Sequence, residues 1–390
     1  MKEKLVSTII CTTTLMQGVN LPTQNVIIRN PHLYRTRRED KAELTSYEMA
    51  NLRGRAGRLL KDFIGRTYVL DETEFENTES YDQLSLFGDT QKELSSGYGE
   101  KFDQYKDDII DVASTNNPVT PEMSEFGYLV VYIRQSILKY GESAKARMQE
   151  TGVKLTKEQV AAIIKKLDTL TIPHSLCFRN RYWDPVTLNY LYRECKLPVP
   201  SNPIERGALK KLSDILKFLR DNSETSGMYQ RHIPTRYSQG QSRSQMCSLA
   251  IQWASEVPLS DLLSSDYYNT SDHAADRIED AIELTQKTIS FDIPLLIKPI
   301  VEMRNESSSI VACMQAGAYN PCTRKMIEIG VPRELAISTN KRFFSSLDKT
   351  LPTDDYELSL FVRDVIKANR INFSYWEKVQ LEFLEPCDND

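Results

Sequence analysis

Two arginines three positions apart, each preceded by a small-residue step and flanked by glycine, are the groups in this 390-residue chain best suited to chemistry. They lie in the run Asn51-Leu52-Arg53-Gly54-Arg55-Ala56-Gly57-Arg58. A guanidinium is a planar fork that holds phosphate oxygens in pairs and keeps its charge at any physiological pH. Gly54 and Gly57 lack a Cβ and let a backbone or a ligand come close. Arg55 and Arg58 on one edge of such a turn suit a phosphate clamp, or an arginine finger that steadies charge during phosphoryl transfer. The plainer alternative is that both arginines cap or bridge surface carboxylates.

A second run, Thr12-Thr13-Thr14-Leu15-Met16-Gln17-Gly18-Val19-Asn20-Leu21-Pro22, needs an element to carry it. Residues 5–15 are mostly β-branched or apolar and predict a parallel strand buried on both faces. Polar Thr and Gln with Gly18 follow, where strands of an open α/β sheet present their ligand-binding loops. Val26-Ile27-Ile28 opens a second buried strand, residues 45–60 are helix-compatible, and Arg66-Thr67-Tyr68-Val69-Leu70 reads as a third strand. Strand, loop, strand, helix, strand is half of a doubly wound domain.

Thr-x-Thr-Leu-x-x-Gly-Val-Asn-Leu-Pro, followed some thirty residues later by Gly-Arg-Ala-Gly-Arg, resembles motifs five and six of superfamily 2 helicases. The nearest branch is the superkiller-type DExH group, in which both motifs belong to the second RecA-like lobe. The resemblance implies that Arg58 is the arginine finger and Arg55 a second γ-phosphate contact. It implies further that Gly18 and Asn20 couple the ATP cleft to the nucleic-acid track, with Thr12 and Thr14 near a backbone phosphate of the bound strand. Asn51 stands where the family has Gln for nucleotide contact, and its amide is one methylene shorter.

A helicase of this kind also needs a Walker A loop, whose Gly-Lys-Ser/Thr cradles the phosphates, and an Asp-Glu pair for Mg²⁺ and water. The sequence holds no Gly-Lys dipeptide. Asp71-Glu72 imitates the acidic pair but follows the arginine motif instead of preceding it, and reads as a strand-end turn. The expectation is therefore one half of a site for ATP and Mg²⁺. The other half, an N-terminal RecA-like lobe, would come from a longer native protein or from a separate polypeptide.

Hydrophobic residues make up 40% and charged residues 26%, ordinary values for a globular protein of two to four domains. Seven cysteines without a Cys-x-x-Cys pair argue for reduced thiols in the cytoplasm and against zinc. No apolar run approaches a membrane span, and residues 5–11 are too short and too rich in Ser and Thr for a signal peptide. The net charge of −5 conceals segregation. Residues 29–66 carry ten Lys/Arg against five Asp/Glu, residues 67–126 three against fifteen, and residues 127–236 nineteen against ten. A local basic face of this kind, and not the total, sets affinity for phosphate.

The chain divides into four stretches. Residues 1–75 are the C-terminal part of a second RecA-like lobe, and 76–120 an acidic linker or insertion. Residues 121–200 form a winged-helix-like domain and 201–390 a helical ratchet-like domain, both by the same resemblance. Thr120-Pro121, Thr156 and Asp184-Pro185 each signal a helix start. Between the last two lies Phe178-Arg179-Asn180-Arg181-Tyr182-Trp183, where Arg179 and Arg181 suit phosphates. There Tyr182 or Trp183 either stacks on a base or packs a wing onto the core. Helices are predicted at about 203–222, 242–256, 273–290, 292–305, 320–329, 332–345, 354–370 and 374–384. The run Tyr319 to Leu335 reads as two short helices joined at Gly330, and offers either a backbone-phosphate contact or plain bundle packing.

The fold class expected is α/β plus α: a partial RecA-like lobe, then winged-helix and all-helical bundle domains. The expected function is the C-terminal part of an ATP-dependent helicase or translocase on single-stranded DNA or RNA, not competent alone for lack of Walker A. The competing reading is a non-catalytic nucleic-acid-binding or regulatory module. Its extension is a scaffold for an effector nuclease in a defence complex.

Overall fold

The computed structural model describes residues 25–28, 32–33, 42–43, 66–70, 97–123, 125–238, 240–264, 274–345 and 351–382, and the chain falls into two compact units, Met1–Lys92 and Glu93–Asp390. In the first unit β1 (Asn25–Ile28) pairs in parallel with β4 (Arg66–Val69), with Val26 opposite Thr67 and Ile27 opposite Tyr68. Between them β2 (His32–Leu33) and β3 (Ala42–Glu43) form a short antiparallel pair. A parallel pair needs a long crossover, which residues 29–65 supply. Residues 5–15, expected as a strand buried on both faces, lie outside the described residues; in the second expected strand Ile27 is exposed, so the burial expected there is not met.

The second unit is helical. It begins with α1 (Gly97–Gln104) and α2 (Lys106–Ala113), inside the stretch expected as a linker. Phe102, Ile109 and Val112 are buried, whereas Asp103, Asp107, Asp108 and Asp111 lie on the exposed side. The acids that suggested a solvated linker are the outer face of two amphipathic helices. Then come α3 (Gly127–Tyr140), α4 (Ala144–Glu150) and α5 (Lys157–Leu167). Thr120-Pro121 starts only a single 3₁₀ turn, Pro121–Met123, and the helix proper waits until Gly127. Thr156 does cap α5: its hydroxyl accepts from the Gln159 amide at 3.2 Å, and the Gln159 side chain accepts from the Thr156 amide at 2.8 Å. Such a reciprocal box contributes about 1 kcal/mol. Leu129, Ile133 and Ile137 of α3 meet Val160, Ile163 and Leu167 of α5 in one core.

A second core follows, built on α6 (His174–Arg179), α7 (Pro185–Glu194), α8 (Ala208–Asp221), α9 (Ser223–His232), α10 (Gly240–Ala254) and α11 (Leu259–Leu263). It is completed by α12 (Ala274–Glu283), a π-helical segment Leu284–Asp292, α13 (Ile293–Arg304) and α14 (Ile310–Ala316). In α8, Leu212, Ile215, Leu216 and Leu219 are fully buried at helical spacing while Lys210 stays exposed. Each such side chain contributes about 1.5–3 kcal/mol of transfer free energy. Cys177 and Cys247 sit in this core as free thiols, and loss of hydration pushes both up to about 12.

A third, smaller core joins α15 (Pro321–Glu328), α16 (Arg333–Thr339), a π-helical turn Asn340–Phe344, α17 (Asp355–Ala368) and α18 (Tyr375–Leu381). Gly330 ends α15 with φ 104°, a conformation that favours glycine. The described part is thus mostly helical, compatible with a winged-helix or helical domain. Among the described residues no helix is long and apolar enough to cross a membrane.

Candidate nucleic-acid interface

Arg134 is the hidden anchor of the region. Its guanidinium, fully buried, donates to Asp184 at 2.6 Å and to the carbonyls of Thr115 at 2.8 Å and Asn117 at 3.1 Å, with a further bond to Val112. Asp184 also accepts from the Val186 amide and so caps α7. One ion pair therefore ties α3 to the end of α2 and the start of α7. The expected cap was read correctly, but its partner was not, because a lone arginine within an apolar stripe gives no sign of pointing inward.

With α3 held by its inner face, its outer face carries Tyr128, Tyr132, Ser136 and Tyr140 at steps of four. Four residues are slightly more than one turn, so these side chains form a row about 18 Å long at 1.5 Å rise per residue. Gln135 and Lys139 flank the row. Tyr98 of α1 meets it edge-on, with ring centroids 5.6 Å from Tyr128 and 5.2 Å from Tyr132. Tyr98 is brought there by Gly99, which lies against Gly152 of the turn after α4. Gly152 has φ 89°, and a Cβ there would sit 2.7 Å from the Gly99 Cα. Burial raises the Tyr128 hydroxyl above its ordinary pKa.

Facing the row are Phe178, Arg181 and Tyr182 from the end of α6 and the turn after it, Arg231 and His232 from the end of α9, and Phe291 from the π-helical segment. Together they bound a groove of ≈ 770 Å³. The Arg181 guanidinium lies 5.0 Å from the Tyr182 ring centroid and donates to the Tyr182 hydroxyl at 3.1 Å. His232 Nδ1 lies 2.8 Å from a carboxylate oxygen of Asp292, which fastens α9 to the π-helical segment. Among the described residues no Asp or Glu lines the groove. Lys139, Arg181 and Arg231 form no ion pair among the described residues, and Tyr182 and Phe291 are each 57% exposed.

Of the residues expected to act, Arg181 lies in this groove. Arg179 points elsewhere: it pairs with Glu306 at 3.0 Å and with Glu302 at 3.8 Å. Trp183 is 1% exposed and donates from Nε1 to the Leu295 carbonyl at 3.0 Å, so of the two stacking candidates it packs while Tyr182 stays open. Arg55, Arg58, Gly18, Asn20, Asn51, Thr12 and Thr14 lie outside the described residues. The tyrosine row went unread in the sequence, although the i, i+4 spacing of Tyr128, Tyr132 and Tyr140 opposite the apolar stripe was a usable signal.

The run 319–335 proves to be packing. Arg333 donates to the carbonyls of Gly317, Trp253 and Val257 at 2.7, 3.0 and 2.9 Å, and its guanidinium lies 3.7 Å from the Trp253 ring centroid. Burial lowers its pKa from the usual arginine value. Lys325 is buried between Asp355 at 2.6 Å and Glu328 at 2.9 Å. Among the described residues no cluster of His, Cys, Asp and Glu is placed to hold a metal ion.

No family model matches the sequence, and no solved structure matches the chain. Part of the chain is similar to activating signal cointegrator 1 complex subunit 3. The chicken protein (Gallus gallus) is 30% identical over 165 residues, the human protein (Homo sapiens) 30% over 166, and the zebrafish protein (Danio rerio) 30% over 162. These alignments cover 42%, 42% and 41% of this chain, and 7%, 7% and 10% of the respective relatives. The chain thus spans a tenth or less of the length of these relatives.

Proposed function

We propose that this chain is the C-terminal part of an ATP-dependent superfamily 2 helicase or translocase acting on single-stranded nucleic acid. The observation that carries this reading is the pair of ordered motifs at residues 12–22 and 51–58, in a chain with partial likeness to activating signal cointegrator 1 complex subunit 3. The donor set fits half of a nucleotide site: two guanidinium forks beside glycines, with no phosphate-cradling lysine loop. ATP with Mg²⁺, when bound, supplies the phosphoryl group whose transfer drives movement. Arg58 then meets the charge that develops on the γ-phosphoryl group, Arg55 adds a second contact, and Asn51 reaches the nucleotide from the same stretch. Gly18 and Asn20 link that cleft to the strand, and Thr12 and Thr14 hold a backbone phosphate. The remaining phosphate loop comes from an N-terminal RecA-like lobe, in the same polypeptide or another.

The test is ATP turnover by this chain assembled with a polypeptide carrying that lobe. Assembly should restore hydrolysis that the chain alone lacks, and Arg58→Ala should reduce it by about 10³–10⁵, as for other arginine fingers. Turnover within a few-fold of the parent would overturn the assignment.

A further inference from the structure

We propose that the groove between the tyrosine face of α3 and the π-helical segment is a stacking site for single-stranded nucleic acid. It deepens the reading above and rests on it for the substrate class; the location rests on the groove itself. Three observations converge there. Aromatic faces come from separate elements: Tyr128 and Tyr132 from α3, Phe178 and Tyr182 from around the end of α6, and Phe291 from the π-helical segment. Bases stack on such rings whatever their identity, because every base has a π-face. Between the rings stand Lys139, Arg181 and Arg231, all exposed and free of ion pairs among the described residues, so their charge is available to phosphates. Among the described residues no carboxylate lines the groove to repel a polyanion or compete for the cations.

The fourth observation concerns geometry. The segment Leu284–Asp292 is wound as a π-helix for nine residues. The π-helix is rare, is seen mostly as single-turn bulges inside α-helices, and is frequent at functional sites. Within this segment Asp292 is buried against His232, while the neighbouring Phe291 is 57% exposed. A large apolar ring displayed by an unfavourable backbone, next to unpaired cations, is explained by a flat ligand carrying negative charge.

An acidic peptide would satisfy the cations but leaves the rings without a purpose, so a strand of nucleotides fits the set better. The experiment measures binding of a fluorescein-labelled 20-nucleotide oligothymidylate to the full 390-residue chain by anisotropy. The paired substitution of Tyr182→Ala and Phe291→Ala should weaken binding at least tenfold, since each lost stack removes a contact of that order. Tyr182→Phe should bind like the parent. The charge pair Arg181→Glu and Arg231→Glu should weaken binding and flatten the dependence of log Kd on log salt by about 1.4, from about 0.7 for each lost phosphate contact. Trp376→Ala, an exposed aromatic on α18, should leave Kd unchanged. Far-ultraviolet circular dichroism and the thermal midpoint confirm that each variant is folded.

Ultraviolet crosslinking should place the oligonucleotide on Tyr182 or Phe291. The proposal is overturned if the aromatic pair binds within twofold of the parent, or if crosslinks fall only elsewhere. It is equally overturned if polyglutamate competes as well as oligothymidylate at equal charge. The Arg58→Ala turnover assay separates this result from the reading above. Normal turnover with lost groove binding removes the helicase assignment and keeps the groove. Lost turnover with normal groove binding does the reverse.

Discussion

Two basic regions of the helical unit invite the same sequence-level reading and turn out to be opposites. Around α15 and α16 the cations are spent internally: Arg333 holds three carbonyls and a tryptophan face, and Lys325 sits between two carboxylates. In the groove, Lys139 and Arg181 lie against tyrosine rings and Arg231 is exposed, and none of the three pairs with a carboxylate among the described residues. Composition is alike in the two places. What differs is whether the fold has already supplied a partner, and only the second region has binding capacity left to offer. Arg179 makes the distinction within a single hexapeptide, since it is paired with Glu306 while Arg181, two residues on, is not.

The contrast breaks if cations of the first kind can be removed cheaply. Arg134→Met should do most damage, about 3–5 kcal/mol, because it strands a buried Asp184 carboxylate and several carbonyls. Denaturant midpoints at constant slope would measure it, and a loss below about 1 kcal/mol would refute the anchoring role. Arg333→Met should cost about 2–3 kcal/mol for its unpaired carbonyls and lost stacking, without weakening oligonucleotide binding. Next, Gly152→Ala should cost more than about 1 kcal/mol, as φ 89° disfavours a side chain and the new methyl meets Gly99. Through that contact it should also shift Tyr98, readable as a change in tyrosine environment by near-ultraviolet dichroism. Smallest of all, Tyr182→Ala should change stability by less than about 0.5 kcal/mol. A larger loss would mean that its ring belongs to the core after all.

Those same residues show what the sequence could and could not reveal. The eight helices expected between 203 and 384 are present, because apolar spacing and end signals such as Asp184-Pro185 and Gly330 are local properties. Helix α9 was missed because Ser223-Glu224-Thr225-Ser226-Gly227 reads as a loop, and α14 because seven residues are too few to show a period. Helices α1 and α2 were hidden by their acids. Both π-helical segments fall inside stretches predicted as ordinary helix, since no spacing in sequence marks a shift from i+4 to i+5 bonding. Arg134 was unreadable for a different reason: its bonds, to Asp184 and to the carbonyls of Val112, Thr115 and Asn117, join residues far apart in the chain. At the groove, Arg181 and Tyr182 were among the candidates, with Arg179 and Trp183, but their neighbours come also from α1, α3, α9, the π-helical segment and α13, which only folding assembles.

The wound-out turns before α13 also fix an angular phase. Successive residues of an α-helix are separated by about 100°, so shortening Leu284–Asp292 by one residue ahead of Phe291 would turn α12 relative to Phe291 and α13. Chain length in this segment therefore sets the angle between α12 and the wall of the groove that Phe291 forms.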